Sequence, residues 1–211
     1  MSDADLLALV RWMSPAFPVG SYAYSHGLEA VIASGAVADG AGALSWVRQV
    51  IRRGAGLSDG ALLAAVLAGD DPDAVAELAR ALAPSAERAL ETEEQGRAFA
   101  AAVAAATGLD APAEPLPVAV GRAARRLDLA PERIVALYLQ SFASALVSAA
   151  VRFVPLGQGE GQRILTALAP DVIETAAAAV ATPPDRIATC VPAADLAAMA
   201  HETMDTRIFR T

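Results

Sequence analysis

The stretch IVALYLQSFASALVSAAV, from Ile134 to Val151, runs for 18 residues without a charged side chain. Its apolar residues occur on every side of a helix, and such a helix is normally buried on every side. Pro131 and Glu132 suit the first turn of a helix. The length would also suit a membrane span, but polar residues such as Gln140 interrupt it and no second span accompanies it. We therefore predict a buried central helix over residues 131–153.

The composition around this stretch favours close-packed helices. Apolar residues make up 55% of the 211 positions and charged residues 19%, and alanine dominates the apolar share. Alanine loses no side-chain entropy in a helix. We expect an all-α fold, a single-domain bundle of about ten helices over residues 1–211, with mobile N-terminal and C-terminal segments.

Turn and capping residues divide the chain into helices. Asp3 or Asp5 is predicted to cap the first helix, and Asp39 to open the third. Asp71 and Ser85 are predicted to cap later helices, with Pro72 at a first helical position. The segment LDAPAEPLP, residues 109–117, is predicted to be an interhelical loop. The expected helices are approximately 3–13, 24–34, 39–54, 58–69, one beginning at 71, 85–108, 118–127, 131–153, 161–181 and 193–204.

The net charge and the cysteine count argue against several kinds of partner and against a secreted, disulfide-bonded protein. A net charge of −8 and a pI near 4.7 argue against nucleic acid as a partner. The single cysteine, Cys190, cannot form an internal disulfide, and the N-terminal sequence lacks the pattern of a signal peptide. We expect a cytoplasmic protein that binds neither nucleic acid nor a membrane.

No catalytic motif is apparent. The chain has no G-x-S-x-G elbow, no phosphate-binding G-x-x-x-x-G-K-[ST] loop and no H-E-x-x-H helix. His26, His201 and Cys190 lie too far apart in sequence to indicate a dedicated metal site. Two alternatives stay open: a helical hydrolase-like enzyme using Glu29, His26 or His201 as acid-base groups, and a plain helical interaction module.

The segment SPAFPVGSYAYSHGLE, residues 14–29, differs from the alanine-rich remainder. It presents two tyrosines, a histidine and a glutamate after a Pro-Val-Gly turn, which is typical of a recognition loop on a rigid scaffold. Tyr22 and Tyr24 could also close a core with their hydroxyl groups pointing to water.

Three segments together resemble the UreF family of urease accessory proteins. They are residues 14–29, AAVRFVPLGQGEGQRIL at 149–165, and DLAAMAHETMDTRIFRT at 195–211. The resemblance implies an all-α, non-catalytic protein that forms a homodimer. It also implies a bridge between the scaffold protein UreD, called UreH in some systems, and the GTPase UreG, in an assembly that inserts nickel into apo-urease at the cost of GTP. Nickel would be handled by the complex, so we expect no cofactor and no tight metal site in this chain.

The resemblance also implies a partner-binding surface and no catalytic residues. Phe209 would be its apolar anchor, with Arg207 and Arg210 as charged clamps, while Pro155 and Gly157 alternatively form a plain interhelical turn. The residues carried over by position are Pro18, Gly20, Tyr22, Tyr24, Ser25, His26, Gly27, Glu29, Arg152, Pro155, Gly157, Gln158, Gln162, His201, Glu202, Arg207, Phe209 and Arg210.

Overall fold

Ten α-helices form the regular structure of the residues that the computed structural model describes, which are 2–108 and 111–210. They are α1 (Asp3–Trp12), α2 (Leu28–Ala33), α3 (Gly40–Arg53), α4 (Ala55–Ala68), α5 (Pro72–Ala81), α6 (Ala86–Thr107), α7 (Leu116–Ala124), α8 (Pro131–Phe153), α9 (Gln158–Val180) and α10 (Pro192–His201). Short 3-10 turns occur at Ser21–Ala23 and Pro184–Arg186. These described ranges contain no strand, which confirms the all-α prediction.

The helix α8 lies at the centre, as its sequence predicts. It packs most extensively against α9 and also against α4, α3 and α2. Leu139 and Leu146 are fully buried, and burial of each leucine stabilises the fold by about 2 kcal/mol. The expectation of burial on every side is wrong in one respect, because Leu137 is only half-buried and Ser148 is exposed. One side of α8 thus reaches the surface.

The helix α8 is long and apolar enough to cross a membrane, and half of its most apolar window is buried inside the protein. Its contacts with five other helices explain its apolar composition, since a core helix needs the same residues as a membrane span. One hydrophobic cluster extends from Leu9 of α1 to Phe209 near the C-terminus and includes the buried side of α8. The apolar stretch is therefore used to build the core.

Three helix starts are capped as predicted, but the predicted cap of α1 is wrong, because Asp3 and Asp5 lie inside its first turn and Ser2 precedes it. Asp39 Oδ1 accepts from the Gly42 amide at 2.8 Å to begin α3. Asp71 Oδ1 accepts from the Asp73 amide at 3.3 Å at the start of α5, and Ser85 Oγ accepts from the Arg88 amide at 3.1 Å at the start of α6. Such local bonds satisfy the free N–H groups of the first turn, and short-range sequence therefore predicts them.

Several helix boundaries differ from prediction. The helix α2 begins at Leu28 and not at Tyr24, because His26 and Gly27 have φ angles of 53° and 72°, which interrupt a right-handed helix. The helix α4 begins three residues before Ser58, and α7 begins at Leu116 and not at Val118. The first two positions of the predicted loop at 109–117 lie outside the described residues.

The boundaries of the later helices also differ from prediction. The helix α9 begins at Gln158, directly after Gly157, so Gln158 and Gln162 lie in its first turns and not in the preceding loop. The helix α10 ends at His201 and not at Met204. The C-terminal segment contributes to the core, because His201 is fully buried and Phe209 is 5% exposed. This differs from the expected peripheral, mobile segment.

Candidate functional site

Residues 201–210 fold back onto the loop that follows α1. The Arg210 amide donates to the Ala23 carbonyl at 2.8 Å. We call this region the C-terminal junction and define it as residues 20–29, 85–94, 152–153 and 201–210. It brings together residues from all three segments singled out in the sequence.

Glu29, at the start of α2, is the centre of the C-terminal junction. Its carboxylate accepts from the Ile208 and Phe209 amides, each at 2.9 Å, and its Oε2 lies 3.0 Å from His201 Nε2. Burial on its own would raise the pKa of the Glu29 carboxyl. The hydrogen bonds from Phe209, His201 and Ile208 outweigh burial and lower the pKa below its ordinary value. The ionised carboxylate thus holds the C-terminal segment in place.

His201 links Glu29 to α6. Its ring is fully buried, and Nδ1 lies 2.7 Å from Glu87 Oε2 while Nε2 faces Glu29. The His201 ring thus links the Glu29 carboxylate on α2 to the Glu87 carboxylate on α6.

The C-terminal segment continues along α6 through two arginines. Arg207 donates to Glu87, and the Arg210 guanidinium lies 2.7 Å from Glu94 Oε2. Tyr24 donates its hydroxyl to the same Glu94 oxygen at 2.8 Å. Burial, and then this hydrogen bond, raise the pKa of Tyr24 far above its ordinary value. Both arginines thus bind acidic residues of their own chain.

Phe209 is packed inside the C-terminal junction. Its ring centroid lies 5.0 Å from that of Phe153, and the Arg152 guanidinium carbon lies 6.0 Å from the Phe209 ring. Arg152 also donates to the Tyr22 carbonyl at 3.1 Å. In this conformation Phe209 fills the core of its own chain, whereas the resemblance had implied an anchor for a partner.

The outer side of the C-terminal junction carries exposed apolar and basic groups. Tyr22 is 65% exposed and Ile208 is 70% exposed, with Arg207 and Arg210 also at the surface. Pro18 is exposed next to the same loop. An apolar pair bordered by arginines suits the contacts that dominate protein interfaces. The structure thus separates the two tyrosines: Tyr22 faces solvent and Tyr24 is buried.

Gly27 and Gly20 shape this loop through positive φ angles of 72° each. A side chain at Gly27 would place its Cβ 2.6 Å from the Ala198 amide nitrogen, so α10 packs directly on the backbone there. Ser25 is fully buried, and its Oγ accepts from the Glu29 amide at 3.3 Å. These residues position the loop and do not form its outer surface.

His26 belongs to a buried polar cluster with Asp59, Arg88, Glu91 and Tyr138. His26 Nε2 lies 2.9 Å from Glu91 Oε1, and Arg88 donates to Asp59 Oδ2 at 2.6 Å. Tyr138 donates to the same Asp59 oxygen at 2.9 Å.

Burial on its own would lower the pKa of the Arg88 guanidinium, but Asp59 and Glu91 outweigh burial and raise it. Cavities of about 50 Å³ lie on both sides of this cluster. The sequence analysis singled out His26 but no other member of this buried polar cluster. Asp59, an acidic residue within the apolar helix α4, could have indicated the cluster.

The remaining predicted residues have separate positions. Glu202 caps α6, because its Oε1 accepts from the Ala86 amide at 2.8 Å. Pro155, Gly157, Gln158 and Gln162 are exposed at the start of α9. Within residues 2–108 and 111–210, no hydrogen bond joins either glutamine side chain to the C-terminal segment. The same described ranges contain no group of three or more His, Cys, Asp or Glu residues arranged to hold a metal ion.

Comparison with known proteins supplies an independent finding. The family model described as UreF matches residues 37–169. A protein named "Urease accessory protein UreF" from Cereibacter sphaeroides strain KD131 is 58% identical over 209 residues, which cover 99% of this chain and all of that protein. Proteins of the same name from Jannaschia sp. strain CCS1 and Dinoroseobacter shibae are 55% and 47% identical, with 98% and 99% of this chain covered.

Proposed function

The chain belongs to the UreF family of urease accessory proteins, and on this premise we propose that it bridges the scaffold protein UreD, or UreH, and the GTPase UreG. In this role it supports GTP-dependent insertion of nickel into apo-urease. The family is one of accessory proteins and not of enzymes, which excludes the helical-enzyme alternative. Membership also argues against a module unrelated to urease.

The observation that carries the proposal is the C-terminal junction. Its outer side presents Tyr22 and Ile208 beside Arg207 and Arg210 on an otherwise acidic protein. Exposed apolar groups bordered by paired arginines and glutamates are typical of a protein interface with an apolar centre and a polar rim. We assign UreD to this surface.

Nickel passes through the assembly without a tight site in this chain. Both histidines are already engaged with carboxylates, and the described residues contain no group of three or more His, Cys, Asp or Glu that could hold a metal ion. Calorimetry of the isolated protein should detect no submicromolar nickel site. One nickel ion bound per chain, and lost on changing His26 or His201, would contradict this part of the proposal.

The protein acts in the cytoplasm as a homodimer, and one side of α8 and several exposed apolar side chains provide surface for a second copy. Light scattering should report a dimer at micromolar concentration. A monomer with and without UreD would overturn this part.

The bridging role is tested by reconstitution with UreD, UreG, apo-urease, nickel, bicarbonate and GTP. Tyr22→Ala should preserve the helical circular dichroism spectrum, because Tyr22 is mostly exposed, but should impair capture of UreD and urease activation. Ile173→Ala is a matched control, since Ile173 is also exposed, at 65%, and lies on α9 outside the C-terminal junction. Normal activation by the Tyr22 variant, or activation without this protein, would end the proposal.

A further inference from the structure

A pocket of about 260 Å³ lies between α1, α6 and α7. We call it the α1–α7 pocket. Its described lining shares no residue with the C-terminal junction. The walls are apolar, with Trp12, Phe99, Val103 and Leu127 among them. Trp12 and Phe99 meet edge to face with ring centroids 5.9 Å apart, so this side of the pocket is built from packed aromatic rings.

One polar group in the wall lacks a partner. Trp12 is 7% exposed, and its indole Nε1 is buried without a hydrogen-bond partner in the described part of the chain. A buried donor without an acceptor costs about 1–3 kcal/mol. Trp12 lies between this pocket and a neighbouring cavity of about 50 Å³, and its nitrogen is enclosed, so the ring and not this donor forms the pocket wall.

Arginines surround the pocket. Arg11, Arg122 and Arg126 contribute to its lining, and Asp5 is the one acidic residue among the described lining positions. Arg122 is paired with Glu114. Arg11 and Arg126 are exposed, and neither side chain forms an ion pair or hydrogen bond with a described residue. A site with unpaired cations in a protein of net charge −8 favours an anionic occupant.

We propose that the α1–α7 pocket binds a bulky apolar side chain from an acidic segment of a protein partner. The volume is below the roughly 300–1,000 Å³ of small-molecule and cofactor sites, but it is sufficient for an anchoring side chain. Leu7 and Val10 on α1 are 69% and 48% exposed and extend the apolar surface beside Arg11. Aspartate or glutamate beside the anchor would pair with Arg11 and Arg126. This surface is additional to the one assigned to UreD.

Selection from a phage-displayed heptapeptide library tests the chemistry of the occupant without assuming its sequence. The full-length protein is the target, and Arg11→Glu/Arg126→Glu is the counter-target. We expect enriched peptides to contain a bulky apolar residue beside Asp or Glu. Their binding to the double variant should be weaker by about tenfold or more. The absence of enrichment, or a consensus without acidic residues, would overturn the proposal.

Arg53→Glu/Arg186→Glu is the matched control. Both residues are exposed, and neither contributes to the described lining of the pocket, so the control changes the net charge equally. Peptide affinity should be unchanged in this control. Equal weakening in both double variants would indicate general charge attraction and would also overturn the proposal.

The two tryptophans provide a direct readout of occupancy. Trp12 contributes to the pocket and Trp46 does not, although both indole Nε1 groups are buried without partners in the described ranges. In ¹⁵N-labelled protein, a selected peptide should shift the indole signal of Trp12 and leave that of Trp46 unchanged. Trp46→Phe assigns the two signals. A Trp12 signal that stays constant at saturating peptide would contradict binding in the pocket.

Two further measurements distinguish other occupants. If dodecanoate shifts the Trp12 signal and the selected peptides do not, the occupant is a small amphipathic anion and the proposal is wrong. If Arg11→Glu/Arg126→Glu converts a dimer into a monomer in light scattering, the occupant is a second copy of this chain and the proposal is also wrong.

Discussion

His201 and Glu29 are 172 positions apart in the chain, and their side chains meet at 3.0 Å in the interior. Glu29 simultaneously accepts from the Ile208 and Phe209 amides. The C-terminal segment is therefore tied to the loop after α1 by a buried network of charges. When this segment folds against the loop, Tyr22 and Ile208 remain exposed on the outer side of the C-terminal junction.

Replacement of His201 by leucine should lower the free energy of unfolding by about 3 kcal/mol, because the Glu29 and Glu87 carboxylates lose the buried hydrogen-bonding side chain between them. Urea denaturation at fixed protein concentration measures the change. Thr206→Ala, an exposed change in the same segment, should remain within about 0.5 kcal/mol of the unmodified protein. Equal stability of the two variants would show that the buried network contributes little.

A fall in pH should lower the free energy of unfolding, and part of this loss should come from protonation of Glu29. The pKa of Glu29 is lowered below 4.5 in the folded state, so the unfolded chain binds the proton more readily. The contribution to stability is complete above about pH 4.5 and decreases as the pH falls through the lower, folded-state pKa. Glu29→Gln should therefore show a smaller loss of unfolding free energy between about pH 5 and about pH 3.

Some dependence on pH should remain in this variant, because the pKa of Glu94 is also lowered, chiefly by the hydrogen bond from Tyr24. Urea denaturation at each pH measures the slope. Glu132→Gln, which removes an exposed carboxyl on α8, is the control. The assignment to Glu29 fails if the two variants have the same slope.

Adjacent residues in the C-terminal segment should separate stability from docking. Phe209→Ala should cost about 3 kcal/mol of unfolding free energy, because Phe209 is 5% exposed and packs on Phe153. Ile208→Ala should change stability by less than about 0.5 kcal/mol, because Ile208 is 70% exposed, and should weaken UreD capture. Chemical denaturation and a pulldown with purified UreD measure the two effects. A loss of stability in the Ile208 variant would contradict the exposed position.

Two glycines with the same φ angle should respond differently to alanine. Both Gly20 and Gly27 have φ of 72°, but only a Cβ at Gly27 would meet another backbone, at 2.6 Å from Ala198 N. Gly20→Ala should cost about 1 kcal/mol, the strain of a left-handed alanine. Gly27→Ala should cost clearly more and lower the melting temperature further, as calorimetry would measure. Equal melting temperatures would contradict the close approach of α10.

Local sequence was sufficient to predict the helices and many of their ends. Asp39, Asp71 and Ser85 cap helices at the predicted positions, because a cap bonds only two or three residues along the chain. The central helix was predictable from the composition of residues 131–153, since a long apolar helix needs a core around it. Polar residues on its half-exposed side were a signal in the sequence for the side that reaches the surface. They are Gln140, Ser141, Ser144 and Ser148.

The sequence by itself therefore determined the all-α class, the central position of α8 and the family. Only the tertiary structure decided that Tyr22 faces solvent while Tyr24 donates to Glu94, 70 positions away. It also decided that Phe209 fills its own core and that Asp59, Arg88 and Tyr138 share a buried network. Each of these contacts joins groups far apart along the chain. The spacing of residues within one helix carries no information about which distant side chain will meet it.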